Sequence, residues 1–227
     1  MLGFTRLKES DEYVSRREEL RLAEVALIEQ RERVAAIRRA LPEGTVVDDY
    51  VFLEGPRDLD AGDGPVREVR LSELFTASDR PLIVYHLMYG KAQTTPCPMC
   101  TMWIDGFNGV AQHLEQNADL VIVAAADPTA LRAHARQRGW DRLRLLSCGD
   151  NTFKFDLRSE DEDGSQDSTV SVFERDASGS VRHVYTAHPW ISDDMRERGI
   201  DQLCPTWHLL DLTRQGRGDW YSQLSYE

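Results

Sequence analysis

The sequence contains few cysteines and no long apolar run. Its 227 residues include four cysteines, which are too few for a scaffold held together by disulfides. The longest apolar run covers residues 121–126 and is far too short to cross a bilayer. The first residues show neither the apolar segment nor the small-residue cleavage site of a signal peptide. We therefore expect a cytoplasmic protein in which a close cysteine pair serves redox chemistry or metal binding.

Positive charge is scarce relative to negative charge. The chain has 27 Lys and Arg against 39 Asp and Glu, which gives a formal net charge of -12. A surface that acidic repels phosphate backbones and anionic lipid headgroups, so we expect neither nucleic acid nor a membrane as a partner. The sequence also lacks a Gly-rich phosphate-binding loop, and we predict no organic cofactor.

Apolar residues near the amino terminus recur at helical spacing. Ser10 is a suitable N-cap and Pro42 ends the run, so we predict one helix from about residue 10 to residue 41. We predict that residues 1–45 form a helical extension, which either packs on its own domain or is exchanged in a homodimer. Its apolar stripe consists of Leu20, Ala23, Leu27, Val34, Ile37 and Leu41.

Residues 46–227 show the pattern of one α/β domain. Buried strands alternate with helices, and an antiparallel hairpin and a closing helix from Ile200 to about Leu212 follow. This order predicts a layer sandwich, in which a central mixed sheet has helices on both faces. The predicted strands are 81–86, 120–124 and 143–146, and those of the hairpin are 169–173 and 181–185.

The motif Cys97-Pro-Met-Cys100 follows a predicted buried strand and opens a helix. A thiolate at Cys97 would face the positive end of the helix dipole, which predicts a pKa below the free value of about 8.5. Pro98 suits the first helical position because its missing N–H would have no intrahelical partner. Cys97 is the predicted nucleophile, and Cys100, one turn inside the helix, is the predicted resolving thiol.

Such a pair supports thiol–disulfide exchange, or reduction of a peroxide through a sulfenic acid on Cys97. The predicted partners are a disulfide- or peroxide-containing substrate and a reducing partner. A closed zinc site usually shows paired ligand spacing. The remaining candidates lack such spacing, so we predict no metal site; they are Cys148, Cys204, His86, His188 and His208.

Residues beside the motif are candidates for a supporting role. Thr94 and Cys97 match the short T-x-x-C pattern of peroxidatic cysteines, while Thr95 is a candidate N-cap. Trp103 lies one turn after Cys100, where it would line a substrate groove or pack in the core.

Several segments together resemble a known family. The chain is similar to an uncharacterised bacterial thioredoxin-like family, a domain of unknown function whose members are often described as predicted dithiol–disulfide oxidoreductases or isomerases. The resemblance implies a thioredoxin-like fold for residues 46–227 and a redox-active CxxC at Cys97 and Cys100. The segments that carry it are Tyr85–Gly90, Cys97–Cys100, Trp103, Asp105–Phe107, Val170–Phe173 and Leu210–Thr213.

One position departs from working thioredoxins, which have a cis-proline before the strand that follows the active-site units. Here the approach to Val170 is Asp167-Ser-Thr169, so Thr169 would be the backbone neighbour of the sulfurs. Peroxiredoxins also lack that proline, and a thiol peroxidase using the same cysteines stays an alternative. A non-catalytic thioredoxin-fold binding or dimerisation module is the other.

Overall fold

The structure is a computed structural model that describes residue 5 and residues 7–149, 151–195 and 198–226. The chain divides into two compact units, Met1–Pro42 and Glu43–Glu227. The predicted boundary between residues 45 and 46 stays a prediction. The remaining residues of the two predicted domains lie outside the described residues; they are 1–4, 6, 150, 196, 197 and 227.

The first unit contains one long helix, α1 (Asp11–Arg39). The side chain of its N-cap, Ser10, accepts a hydrogen bond from the backbone N–H of Tyr13. Acidic residues in the first turn and basic residues in the last turn suit the helix dipole. None of the residues of α1 is buried, and Leu20 and Leu27 of the predicted apolar stripe are exposed. The long amino-terminal helix is thus confirmed.

The described part of the second unit contains eight strands in one mixed sheet. They are β1 (Thr45–Val46), β2 (Val51–Glu54), β3 (Arg67–Arg70), β4 (Leu82–Leu87), β5 (Asp119–Ala124), β6 (Arg144–Ser147), β7 (Val170–Arg175) and β8 (Val181–Ala187). The strand order across the sheet is β1-β8-β7-β4-β5-β6-β2-β3. The helices described beside them are α2 (Pro98–Leu114), α3 (Pro128–Arg138), α4 (Phe153–Asp156) and α5 (Pro205–Leu210). Wherever the chain is described, its helices are too short or too polar to cross a membrane.

Three parallel strands form the centre of the sheet. Strand β5 pairs with β4 on one side and with β6 on the other, and α2 and α3 make the connections. The strands are apolar because both faces of the sheet are covered: residues 84–87 and 121–124 are buried. Both connections step in the same direction across the sheet, so right-handed crossovers place α2 and α3 on one face.

Strands β7 and β8 form the predicted antiparallel hairpin. The carboxylate of Asp176 accepts a hydrogen bond from the backbone N–H of Ser180 in the turn. Gly179 adopts φ of 86°, a conformation that suits glycine. Because Tyr85 pairs with Val170, the start of β7 lies beside the carboxyl-terminal end of β4.

Apolar clusters cover both faces of the sheet. On one face, Trp103 of α2, Leu131 of α3 and Trp207 of α5 pack with Tyr85 and Ile122 of the strands. The opposite face includes α4 and a 3₁₀ turn, and its cluster contains Leu71, Leu74, Val84, Val123, Phe153 and Phe173. This arrangement is a thioredoxin-like α/β layer sandwich with a central mixed sheet and helices on both faces. The predicted fold class is confirmed.

The closing helix differs from the prediction. In place of one helix from Ile200 to about Leu212, the chain forms a 3₁₀ turn at Asp201–Leu203 and then α5. Pro205 has no N–H, and it restricts the preceding residue to an extended backbone. Cys204 accordingly has φ of -119° and ψ of 118°. A helix therefore begins anew at Pro205, and the predicted extent was wrong.

Candidate active site

The dithiol lies where the chain passes from strand β4 into helix α2. The backbone N–H of Cys97 donates to the carbonyl oxygen of Met88 at 3.1 Å, which joins the end of the loop to the end of β4. The backbone N–H groups of Ala125 and Ala126 donate to the carbonyl oxygen of Tyr89 at 3.0 and 2.9 Å. Backbone contacts from β4 and from the end of β5 therefore hold the loop that presents Cys97.

Cys97 is itself the N-cap of α2. Its backbone is extended, with φ of -62° and ψ of 124°, and its sulfur accepts a hydrogen bond from the backbone N–H of Cys100 at 3.3 Å. The assignment of Thr95 as N-cap was wrong. A sulfur in this position does what the oxygen of a Ser or Asp cap does, and a thiolate there faces the positive end of the helix dipole.

The first turn of α2 is held by further hydrogen bonds. Pro98 occupies a position where its missing N–H costs no intrahelical bond. The carbonyl oxygen of Cys97 accepts from both the backbone N–H and the hydroxyl of Thr101, each at 3.0 Å. The same hydroxyl lies 3.0 Å from Nε2 of the buried His134. These contacts fix the backbone that carries the two cysteines.

The two cysteines differ in exposure. Cys97 is partly exposed, whereas Cys100 is completely buried. Burial, followed by a hydrogen bond with the Cys97 sulfur, raises the pKa of the Cys100 thiol well above its ordinary value of 9.0. A backbone hydrogen bond from Met88 and the hydroxyl of Tyr85 act in the opposite direction on that pKa. Cys100 therefore keeps its proton near neutral pH and can donate it to the sulfur of Cys97.

The buried hydroxyl of Tyr85 lies beside the dithiol and lowers the pKa of Cys100, while no atom among the described residues meets hydrogen-bond geometry with it. Burial, and after it negative charge on Cys100, raises the pKa of Tyr85 well above its ordinary value of 10.0. The tyrosine ring, carried by β4, packs edge-to-face against Phe107 of α2 with ring centroids 5.3 Å apart. The hydroxyl is thus held in place next to the sulfur that it can stabilise.

A cavity of about 410 Å³ is lined by Cys97. Its polar lining is contributed by Asp167, Ser168 and Ser222. Ser222 is buried, and its Oγ has no hydrogen-bond partner among the residues that the structure describes. The rest of the lining is largely apolar and consists of Met88, Pro98, Met99, Trp103, Pro189, Trp190, Ile200 and Tyr221.

Most of the residues that the sequence singles out lie together. Cys97, Pro98 and Trp103 line the cavity, and Cys100 follows inside the first turn of α2. Trp103 also belongs to the core, where its Nε1 donates to the carbonyl oxygen of Ile200 at 3.3 Å. The prediction that Trp103 packs in the core is confirmed, and its role in a substrate groove stays a prediction, although the side chain also borders the cavity.

Two supporting candidates are absent from the cavity lining. Thr94 is exposed, and Thr169 is completely buried with its carbonyl oxygen accepting from the backbone N–H of His86 at 3.0 Å. The structure places Ser168, rather than Thr169, beside Cys97 in the cavity lining. Successive side chains of an extended segment point to opposite sides, which accounts for this difference of one residue.

Sequence reasoning missed several residues of the site. Tyr85 could have been found, because a hydroxyl in a buried strand needs a polar neighbour and this strand leads into the motif. Ser168 follows a polar loop, and Tyr221 and Ser222 belong to a carboxyl-terminal segment without regular structure. No periodic signal marks these residues, and only the tertiary structure brings them to Cys97.

The other cysteines are buried away from solvent. Cys148 and Cys204 are both free thiols, and burial raises the pKa of Cys148 to about 11. Among the residues that the structure describes, no three His, Cys, Asp or Glu side chains form a group that could hold a metal ion.

The fold and the dithiol at the start of α2 define a thioredoxin-like protein with a CxxC site. The chain belongs to the family described as "Bacterial protein of unknown function (DUF899)", which it matches over residues 4–226. The resemblance stated from the sequence is thus confirmed. The comparison with curated proteins found no match.

The chain is also similar to solved structures. A mutant of PrxQ from Xylella fastidiosa is 13% identical, with a TM-score of 0.49, over 72% of this chain and 93% of that chain. Peroxidoxin BcpB from Mycobacterium tuberculosis is 18% identical, with a TM-score of 0.48, over 75% of this chain and 98% of that chain. AhpC from Mycobacterium bovis is 17% identical, with a TM-score of 0.46, over 80% and 98%. At these values the similarities assign no activity to this chain.

Proposed function

We propose that this protein is a dithiol–disulfide oxidoreductase whose redox centre is Cys97 and Cys100. One observation supports this function above all others. Cys97 is a partly exposed N-cap thiol in the wall of a cavity, and a buried thiol that hydrogen-bonds to it lies one turn behind. The helix dipole favours a thiolate at Cys97, while the neighbouring thiol is placed to displace whatever binds there.

The reaction follows from this placement. The Cys97 thiolate attacks one sulfur of a substrate disulfide, and the other substrate sulfur leaves as a thiolate and takes up a proton. Cys100 then loses its proton to solvent and attacks the Cys97 sulfur, which releases the second substrate thiolate. The substrate has gained two electrons, and the protein is left with a Cys97–Cys100 disulfide that a reducing partner must restore.

The cavity indicates the kind of substrate. Its volume of about 410 Å³ lies in the range typical of ligand sites. Met99, Trp190 and Tyr221 offer an apolar surface next to Cys97, whereas Ser168 and Ser222 offer hydroxyl groups. We propose a disulfide flanked by apolar or aromatic groups, with a polar backbone that these hydroxyls can bind.

A thiol peroxidase is the second candidate. The sequence has no proline from residue 151 to residue 188, so the cis-proline that thioredoxins place opposite the dithiol is missing. A peroxide would oxidise the Cys97 thiolate to a sulfenic acid, and its other oxygen would leave as water or an alcohol. Cys100 would then form the same disulfide and release water.

Turnover of insulin disulfides and of hydrogen peroxide, each with dithiothreitol as reductant, tests both candidates. We expect Cys97→Ser to lower the active reaction by at least about 100-fold. We expect Cys100→Ser to stop disulfide reduction after a covalent complex forms at Cys97. Cys148→Ser, at a buried thiol outside the cavity lining, should stay within about twofold of wild type.

The two assays also distinguish the third alternative. Equal and negligible turnover of both substrates by wild type and by the Cys97 variant would contradict either catalytic function. It would support a non-catalytic thioredoxin-fold binding module. The reducing partner, the cytoplasmic location and a homodimer through α1 stay predictions.

A further inference from the structure

A lysine is buried next to the strand that leads to the dithiol. Lys154 of α4 is completely buried, and its Nζ donates to the carbonyl oxygen of Leu87, the last residue of β4, at 3.0 Å. The neighbouring Phe153 packs in the cluster on the face opposite α2. Burying an ammonium group is costly unless it is compensated. A charge kept at such a position is therefore a candidate for a functional role.

A single peptide group connects Lys154 with Cys100. The carbonyl oxygen of this group belongs to Leu87 and accepts from Lys154, while its N–H belongs to Met88 and lowers the pKa of the Cys100 thiol. A cation at the carbonyl oxygen polarises the amide and strengthens its N–H as a donor. The next carbonyl along the chain, that of Met88, holds the backbone N–H of Cys97 at 3.1 Å.

Lys154 is positively charged at neutral pH. Burial lowers the pKa of its ammonium group from 10.5 to about 8. His86 stays neutral because burial lowers its pKa well below 6.5. Lys91 also lowers the pKa of Lys154, but Lys91 is paired with Glu160 at 2.7 Å. The groups that raise the pKa of Lys154 are Cys148, Cys100 and Glu160.

We propose that Lys154 is a positioning residue for the second half of the exchange reaction: acting through the Leu87–Met88 peptide, its ammonium group stabilises the Cys100 thiolate. This inference rests on the proposed function. In the step concerned, Cys100 gives its proton to solvent and forms a bond to the Cys97 sulfur. The bond from Cys97 to the substrate breaks, and the substrate sulfur leaves with the electron pair. Lys154 forms no covalent bond and transfers no proton.

A chromogenic aromatic disulfide, dithiobis(nitrobenzoate), separates the two half-reactions. Attack by Cys97 releases one coloured thiolate, and resolution by Cys100 releases a second. Stopped-flow absorbance gives the rate of both phases from about pH 5 to about pH 9, on either side of ordinary thiol pKa values. The measurements use a Cys148→Ala/Cys204→Ala background, so that only the motif cysteines react.

The Lys154 variants separate charge from packing. Lys154→Gln retains a donor for the Leu87 carbonyl oxygen but removes the charge. We expect its second phase to slow at least about tenfold at neutral pH, with a pH midpoint about one unit higher. Lys154→Arg retains the charge and should keep the wild-type midpoint. The first phase should stay within about threefold of wild type in both variants.

Lys91→Met is the matched control, because it removes a lysine whose charge is already paired with Glu160. Both phases should remain within about twofold of wild type. A folded Lys154→Gln protein with a wild-type second phase would overturn the inference, as would equal losses in the Gln and Arg variants. If the Gln variant does not fold, Lys154→Met replaces it. If neither folds, a wild-type midpoint above about 8.5 overturns the inference.

The rate of the first phase distinguishes failure of the inference about Lys154 from failure of the proposed dithiol function. If wild type lacks the rapid first phase that Cys97→Ser abolishes, the dithiol function itself is contradicted. If the first phase is present and the second phase is insensitive to the charge of residue 154, only the role of Lys154 is contradicted.

Discussion

At the scale of single residues, the order of the two half-reactions in the proposed exchange depends on the groups around Cys100. Before substrate binds, the hydrogen bond with the Cys97 sulfur and complete burial both keep Cys100 protonated. Once Cys97 is bonded to a substrate sulfur, it no longer carries a negative charge that opposes ionisation of Cys100. The Tyr85 hydroxyl and the Met88 backbone, which both lower the pKa of Cys100, then act without that opposing charge. For the proposed reaction, we therefore expect attack first by Cys97 and resolution second by Cys100.

Tyr85→Phe tests the contribution of the Tyr85 hydroxyl to resolution by Cys100. The change removes a hydroxyl and keeps the ring that packs against Phe107. Because the hydroxyl lowers the pKa of Cys100 and an uncharged polar interaction contributes about 1 kcal/mol, we expect the second thiolate-release phase to slow by roughly fivefold. The first phase should not change. Tyr50→Phe, which removes the hydroxyl bonded to Asp156, is the control, and an equal effect of both variants on the second phase would contradict the prediction.

At the scale of secondary-structure elements, the loop between β4 and α2 depends on a close backbone contact. Gly90 has φ of 99°, and a Cβ built there would lie 2.0 Å from the backbone nitrogen of Ala126. Since the colliding atom is backbone, a side-chain rotation cannot relieve the contact. We expect Gly90→Ala to lower the free energy of unfolding by more than about 3 kcal/mol.

Urea unfolding of Gly90→Ala measures this loss, and Gly62→Ala is the matched control. Gly62 also has positive φ, 81°, but a Cβ there meets no atom within 4 Å. Only backbone strain remains, so the control should lose about 1 kcal/mol. We also expect Cys97 to react more slowly with the chromogenic disulfide in the Gly90→Ala variant. Equal losses of stability in the two variants would show that the contact with Ala126, just after β5, is unimportant.

The strands and the hairpin around the dithiol can be predicted from local sequence patterns. The apolar runs at 81–86 and 120–124 predict buried parallel strands, and the period-two segments on either side of Gly179 predict the hairpin. The closing helix was misjudged because its apolar residues continue across Pro205, whose missing N–H starts a new helix. The pairing of β2 with β6 is set by tertiary contacts that no local periodicity reports.

The candidate site could be predicted only in part, because tertiary contacts leave no local signal in the sequence. Cys97, Pro98 and Cys100 are neighbours in sequence, so their spacing and the preceding strand are sufficient to place them. Lys154 lies in a short segment of mixed polarity, where a lysine is ordinarily exposed. Its burial against Leu87 depends on residues 67 positions apart along the chain. Residues of the candidate site that are neighbours in sequence were predicted, whereas residues that only the packing of the fold brings to the site were not.

At the scale of the whole molecule, the burial of Lys154 makes stability depend on pH. Its pKa is about 8 in the folded protein, below the ordinary value of 10.5. Between these values the unfolded chain binds more protons than the folded protein, so this contribution to stability rises with pH through that window. Below about pH 8 the destabilisation is fully present, and the difference between the two pKa values corresponds to about 3 kcal/mol.

Lys154→Met removes the pH-dependent contribution of this lysine to the free energy of unfolding. Comparison of the variant with wild type therefore isolates that contribution. We expect the free energy of unfolding of the variant, relative to wild type, to fall by about 3 kcal/mol between about pH 7 and about pH 10.5. The sign follows because wild type gains stability over that range as its lysine becomes neutral, while the variant has no such group. Tyr50 is common to both proteins, so its titration largely cancels, and both proteins carry Cys148→Ala because Cys148 and Lys154 shift each other's pKa. Urea unfolding under reducing conditions measures the difference. A constant difference for Lys154→Met would mean that the ammonium pays no desolvation penalty in the fold, and its placement against the Leu87 carbonyl would then need another explanation.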